Sequence, residues 1–185
     1  MVRFTIHTLA TAPERSKPFL EGLQQAMSMI PNLAATMAES PALLEGFIKI
    51  REVLHHGTFT PGEVQVLSLA NAFENGCVYC MALHSVFALK TGVAPEAVAT
   101  LRAGRAPAEP RLKALSEFSR KLVRARGAVS QADLSAFLAA GFTKAQALEV
   151  VLGVAVSILP NFAHHLTQCP IDDVFRPQAW ESPAA

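Results

Sequence analysis

Two thiols and an imidazole fall within eight residues of this chain, in Cys77-Val78-Tyr79-Cys80-Met81-Ala82-Leu83-His84. Thiols three residues apart can close a disulfide or bind a soft metal. On a helix, His84 stands one turn beyond Cys80 and about 40° round the axis. Thiol reactivity depends on forming the thiolate, and a neighbouring imidazole and a helix N-terminus both favour that form. The pattern suits a two-thiol reduction of a peroxide. One thiolate attacks the O–O bond and becomes a sulfenic acid, and the partner condenses with it to a disulfide. A base must take the attacking proton and an acid must protonate the leaving alkoxide, and His84 serves either role directly or through water. The helix dipole favours Cys77 as the attacking thiol, whereas the His84 contact favours Cys80.

The elements that position these groups are helical. Thr60-Pro61-Gly62-Glu63 reads as a helix start, with threonine as N-cap, proline at N1 and Glu63 completing a capping box. That helix carries Val64, Val66, Leu67, Leu69, Ala70 and Phe73 to the turn Asn75-Gly76, and the cysteine helix follows to Thr91-Gly92. Reversal at the turn makes 61–74 and 77–91 antiparallel neighbours. At about 1.5 Å per residue, Gln65 and His84 then lie roughly 15 Å and 12 Å from the turn, at similar depth. Cys77 points its sulfur at unsatisfied N–H groups, and Cys80 is buried one turn deeper, beneath His84.

Around this pair, helical spacing recurs and no alternating run suggests a sheet. Apolar stripes mark helices from Pro18 to Ile30, interrupted by Pro31, and from Leu43 to Leu54, ending at His55-His56-Gly57. Those two histidines fit a last helical turn before a glycine. Pro95 opens a short helix to Ala103, and 104–110 is a loop. Leu112, Leu115, Phe118 and Leu122 face a core, opposite Arg111, Lys113, Arg120, Lys121, Arg124 and Arg126, which read as a solvated basic face. Ser130 with Asp133 and Thr143 with Gln146 are two more capping boxes. The last helix, 143–166, is apolar nearly all round through Leu159 and is expected to be buried, with a kink at Pro160.

The 185 residues suit a single domain, 1–185. Apolar residues make up 51% and charged residues 17%, an excess that other subunits would cover. A net charge of +1 gives no reason to expect nucleic acid or an anionic membrane as partner. The N-terminus lacks a signal-peptide core, the longest apolar run, Val150 to Leu159, is short for a membrane span, and three cysteines make no secreted disulfide framework. The chain reads as soluble and cytoplasmic, a compartment where C-x-x-C is redox-active or metal-binding.

The run E-V-Q-V-L-S-L-A-N-A-F-E-N-G-C-V-Y-C-M-A-L-H-S resembles the core of the AhpD-like alkylhydroperoxidase family, within the carboxymuconolactone decarboxylase superfamily. The later N-F-A-H-H…C-P-I-D-D-V-F-R-P-Q-A-W resembles the ending of its peroxidase-related branch. The resemblance implies an all-α domain of about eight or nine helices, with a central antiparallel pair carrying the C-x-x-C (core motif 60–92). It also implies trimers or hexamers, with the tail 167–185 at an interface. The implied activity is thiol peroxidase or disulfide reductase, with no bound cofactor. Cys80 would be peroxidatic, Cys77 resolving and His84 the proton-relay histidine. The substrate would be hydrogen peroxide, an organic hydroperoxide or a partner disulfide. The external reductant would be a lipoyl or thioredoxin-like protein.

One position departs from the pattern. The family's relay glutamate stands twelve residues before the first cysteine, and here that residue is Gln65, which cannot exchange a proton at neutral pH. Glu74 and Glu63 are the nearby acids to consider. His165 matches a histidine of the C-terminal pattern and is a candidate for the same pocket, as are Gln65 and Tyr79, while His164 is the weaker histidine. Cys169 reads as a buried small residue. Three rivals stand beside the peroxidase reading. One is a zinc site from Cys77, Cys80, His84 and a last-helix histidine. The others are a decarboxylase or isomerase of the superfamily, and a non-catalytic helical oligomer.

Overall fold

The computed structural model describes residues 4–182, so residues 1–3 and the final 183–185 of the tail lie outside the description. The described residues form nine α-helices and two single 3-10 turns, with no strand among them. In order these are α1 (Lys17–Met27), α2 (Asn32–Met37), α3 (Pro41–His55), α4 (Pro61–Glu74), α5 (Val78–Lys90), α6 (Pro95–Arg102), α7 (Pro110–Arg124), α8 (Gln131–Ala139) and α9 (Lys144–Thr167).

The capping boxes decide where three of these helices begin. Thr60, Ser130 and Thr143 each accept the N3 backbone N–H, while Glu63, Asp133 and Gln146 each reach back to the N-cap N–H. Helix α2 is the element that the hydrophobic periodicity misses. It is six residues long and begins at Asn32, whose N–H donates to Asp172 Oδ1 in the distant tail at 3.0 Å.

Helix α4 is the hub, packing against α5, α6, α7 and α9. Asn71, fully buried, ties it to two of them. Its amide donates to Ser157 Oγ at 3.1 Å, and its Oδ1 accepts from Ser119 Oγ–H at 2.6 Å. Gly153 lets α9 close on α4, because a Cβ there would stand 2.4 Å from a methyl of Leu67.

The last helix is less buried than expected. α9 runs from Lys144 to Thr167 with Pro160 inside it, and it is only partly covered. Leu148, Val151, Phe162 and Leu166 are exposed along it, because its apolar surface extends further round than the neighbouring helices reach. By length and composition alone it would cross a membrane, yet it packs on α2, α3, α4, α5, α7 and α8. The tail beyond it folds back on its own chain. Gln178 and Ala179 carbonyls accept from Arg102, and the Trp180 ring packs on Phe73 at 5.8 Å.

Candidate active site

Helices α4 and α5 meet at the Asn75-Gly76 turn, where Gly76 takes the left-handed φ of 64° that the reversal needs. Gln65 and His84, placed at matching depth by the count from that turn, touch: His84 Nδ1–H donates to Gln65 Oε1 at 2.8 Å. The amide therefore fixes the tautomer and leaves the lone pair on Nε2. Burial, then the positive charges of Arg51 and His55, drive the His84 pKa down to about 3. The ring is neutral at working pH.

Cys77 is the N-cap of α5, and its Sγ accepts the Cys80 backbone N–H at 3.3 Å. Burial pushes this thiol up, but the Cys80 thiol, the adjoining His164 and that N–H together outweigh it and hold Cys77 at about 5. Cys80 moves the other way. Burial raises it well above a free thiol, and the charge and hydrogen bonding of Cys77 raise it further. The pair thus keeps one proton on Cys80, facing a thiolate on Cys77. The two are not joined in a disulfide.

A cavity of about 290 Å³ opens beside them, walled by α1, α2, α3, α4, α5 and α9. Cys80, His84 and Gln65 line it, whereas Cys77 does not. The Tyr79 ring also lines it, but its hydroxyl is committed elsewhere. It donates to Asp172 Oδ2 at 2.5 Å and accepts from the Leu33 N–H at 3.3 Å. Burial and the Asp172 carboxylate push its pKa upward, so Tyr79 fastens the first turn of α5 to α2 and the tail.

Three candidates fall away from the dithiol. Glu63 caps its own helix and pairs with Arg111 at 2.6 Å. Glu74 pairs with Arg120 at 2.5 Å and Arg124 at 2.6 Å. The basic face of α7 is solvated only in part: Lys113, Lys121 and Arg126 are exposed, whereas Arg111, Arg120 and Arg124 reach across to α4 and neutralise both carboxylates. His165 is exposed and donates to the Asn75 carbonyl at 2.6 Å, bracing the turn from outside the cavity.

The histidine beside the thiolate is His164. It is 4% exposed, its ring lies 5.6 Å from that of Tyr79, and its Nδ1 is buried without a hydrogen-bond partner. The signal for it was periodicity: Gly153, Ser157, Pro160 and His164 recur at spacings of three and four along the buried stripe of α9, and His165 is off it. Asn161, on the same stripe, accepts from Asn75 Nδ2 at 2.8 Å and opposes the rise of the Cys80 pKa. Arg51 and His55 also line the cavity, although no motif in the sequence points to them. Among the described residues, no cluster of three or more His, Cys, Asp or Glu side chains is arranged to hold a metal.

Residues 41–120 match the model of the carboxymuconolactone decarboxylase family. No curated protein matches the chain. Among solved structures, it is similar to an uncharacterized peroxidase-related protein from Ralstonia eutropha JMP134 with an alkylhydroperoxidase AhpD core. That comparison has a TM-score of 0.84 and 24% identity, covering 94% of this chain and 93% of the other. A peroxidase-related protein from Silicibacter sp. TM1040 gives 0.80 and 18%, covering 96% and 94%. The debrominase Bmp8 gives 0.74 and 17%, covering 89% and 90%, and its cysteine-to-alanine variant has been solved in complex with 2,3,4-tribromopyrrole. These likenesses place the all-helical chain in the AhpD-like fold.

Proposed function

We propose that this AhpD-like member of the carboxymuconolactone decarboxylase superfamily is a dithiol oxidoreductase that reduces hydroperoxides through a Cys77–Cys80 disulfide cycle. One observation carries the reading. Cys80 alone of the two thiols meets the apolar cavity, beside neutral His84, with Cys77 held as a thiolate behind it.

Cys80 loses its proton to the Cys77 sulfur or to His84 Nε2, and its sulfur attacks the distal oxygen of ROOH. The O–O bond breaks, the alkoxide takes a proton and leaves as ROH, and Cys80 becomes the sulfenic acid. Cys77 as thiolate then attacks the Cys80 sulfur, expelling hydroxide, which leaves as water. An external dithiol restores the pair by attacking Cys80 from the cavity. Cys77 is a good leaving group in that step because its pKa is low. The donor has to reach Cys80 through the cavity, which favours a slender one such as a lipoyl arm. The exposed apolar residues of α9 are the surface on which copies of the chain would assemble.

A second reading uses the same two electrons. The fold neighbour that acts as a debrominase, solved with a brominated pyrrole, supports reduction of a carbon–halogen bond in this cavity. Peroxide consumption with a dithiol reductant separates the cases. Wild type is expected to turn over, while Cys80→Ser is inactive and Cys77→Ser stops after one equivalent. A wild type no faster than either variant ends the peroxidase reading. Bromide release from a bromopyrrole would move the chemistry to the second.

A further inference from the structure

Arg51 is the exception among the partly buried arginines of the described residues. Arg102 donates to Ser85 Oγ and to the Gln178 and Ala179 carbonyls, Arg111 pairs with Glu63, and Arg120 pairs with Glu74. Arg51 is half-buried on α3 and lines the cavity, yet it meets no carboxylate and makes no hydrogen bond among the described residues. The cavity walls hold no aspartate or glutamate at all. A guanidinium removed from water without a partner is destabilising, and five donors in a planar fork are suited to a carboxylate. His55, one turn further along the same helix face, adds a donor on the rim.

Exposure ranks these groups by depth. His55 is exposed, Arg51 is half-buried, and Cys80 is 3% exposed at the floor. Most of the remaining wall is apolar, with Leu23, Met27, Phe47 and Leu83 among its residues. At about 290 Å³, the space is near the lower bound of ligand pockets, roughly 300 Å³. We infer that the cavity takes an anionic amphiphile: a medium-chain hydroperoxide whose carboxylate pairs with Arg51 at the rim and whose apolar body carries the reacting O–O group down to Cys80. The reacting group in this inference rests on the proposed peroxidase reading, whereas the anion site does not. A bound carboxylate also changes the floor. The positive charges of Arg51 and His55 help to keep His84 from accepting a proton. A substrate anion neutralises part of that field and makes His84 a better base.

Two measurements test this. The first is binding of decanoate and of methyl decanoate to the reduced wild-type protein, to Arg51→Gln and to Arg51→Lys by calorimetry, with thermal melts alongside. Decanoate is expected to bind wild type about tenfold or more tightly than Arg51→Gln, with Arg51→Lys between them. The ester should not distinguish the three. Because Arg51 has no partner to lose, Arg51→Gln should melt no lower than wild type. The second is kcat/KM for a ten-carbon hydroperoxy acid against its methyl ester. The acid is expected to lead in wild type by about tenfold, with the ratio falling to about one in Arg51→Gln. Equal decanoate binding by wild type and Arg51→Gln overturns the inference, as does an acid-to-ester ratio near one in wild type. If no hydroperoxide is consumed while decanoate binding still depends on Arg51, the anion site stands and the peroxidase reading falls.

Discussion

Helix α4 presents two flanks that treat polar groups in opposite ways. Toward α7, Glu63 and Glu74 are each closed into ion pairs with arginines, and two of those guanidinium groups also cover aromatic rings: Arg111 lies 3.9 Å from the Phe142 centroid and Arg120 4.7 Å from that of Phe73. Toward α5 the same helix offers Gln65 to a neutral histidine, next to a thiolate and an arginine with no partner. Charge on the first flank is balanced and carries structure. On the second it is left unbalanced in an apolar setting, where it is costly unless chemistry or a ligand uses it. The lesson is that the strongest acids near a dithiol in sequence need not be near it in the fold.

The largest expected effect belongs to the unbalanced flank. Cys77 sits near pH 5 in the folded protein against 9.0 for an ordinary thiol, so its folded pKa is depressed. Its contribution to stability is therefore complete above about 9 and is lost as pH falls through about 5. Urea titrations of the reduced wild type and of Cys77→Ser should diverge as pH rises across that window. The slope is on the order of 1 kcal/mol per pH unit where one proton separates folded from unfolded chain. Stopping at about pH 8 keeps clear of the Cys80 titration, which runs the other way. A constant difference between the two proteins from about pH 5 to 8 would mean that Cys77 is an ordinary thiol, and the contrast between the flanks would collapse.

The balanced flank makes a smaller and opposite prediction. Glu74→Gln removes a carboxylate whose side chain is 8% exposed and leaves Arg120, 13% exposed, without its counter-charge. Breaking a buried pair costs about 3–5 kcal/mol, and the exposure of Arg124 brings the expectation to about 2–3. For a chain of this size that is a fall in Tm of roughly 5–10 °C. Peroxide turnover per folded molecule should not change. A variant that melts like wild type but has lost activity would make Glu74 the missing proton donor after all.

Much of this site was legible in the sequence, and the limits are instructive. The capping boxes at Thr60, Ser130 and Thr143 are local, so four residues suffice to find them. The meeting of Gln65 with His84 follows from one turn and a constant rise per residue. What was not legible depends on pairings far apart along the chain. Glu74 and Arg120 are 46 residues apart, and Tyr79 and Asp172 are 93 apart. A basic stripe looks the same in sequence whether it faces water or another helix's carboxylates. The choice between His164 and His165 was available from the buried period of α9. Similarity to the C-terminal pattern points to His165, whereas helical phase points to His164.

The finest test exchanges the character of the two flanks at one position. Gln65 holds His84 by the same geometry that a glutamate would use, at 2.8 Å, but offers no charge. Gln65→Glu places a carboxylate against Nδ1–H, the arrangement that favours imidazolium on a neighbouring ring. The His84 pKa should rise from about 3 toward the physiological range. A base works best when its pKa is near the working pH, so kcat/KM for a hydroperoxide should increase by about tenfold, or about 1.4 kcal/mol in the barrier. The acid limb of the pH profile should move upward with it. The new carboxylate lines the same cavity as Arg51 and competes with a substrate anion for its guanidinium. The substitution should therefore weaken recognition of an anionic substrate while it speeds a neutral one. An unchanged rate and profile in Gln65→Glu would mean that His84 takes no part in the proton transfer and that the Cys77 sulfur alone receives the proton of Cys80.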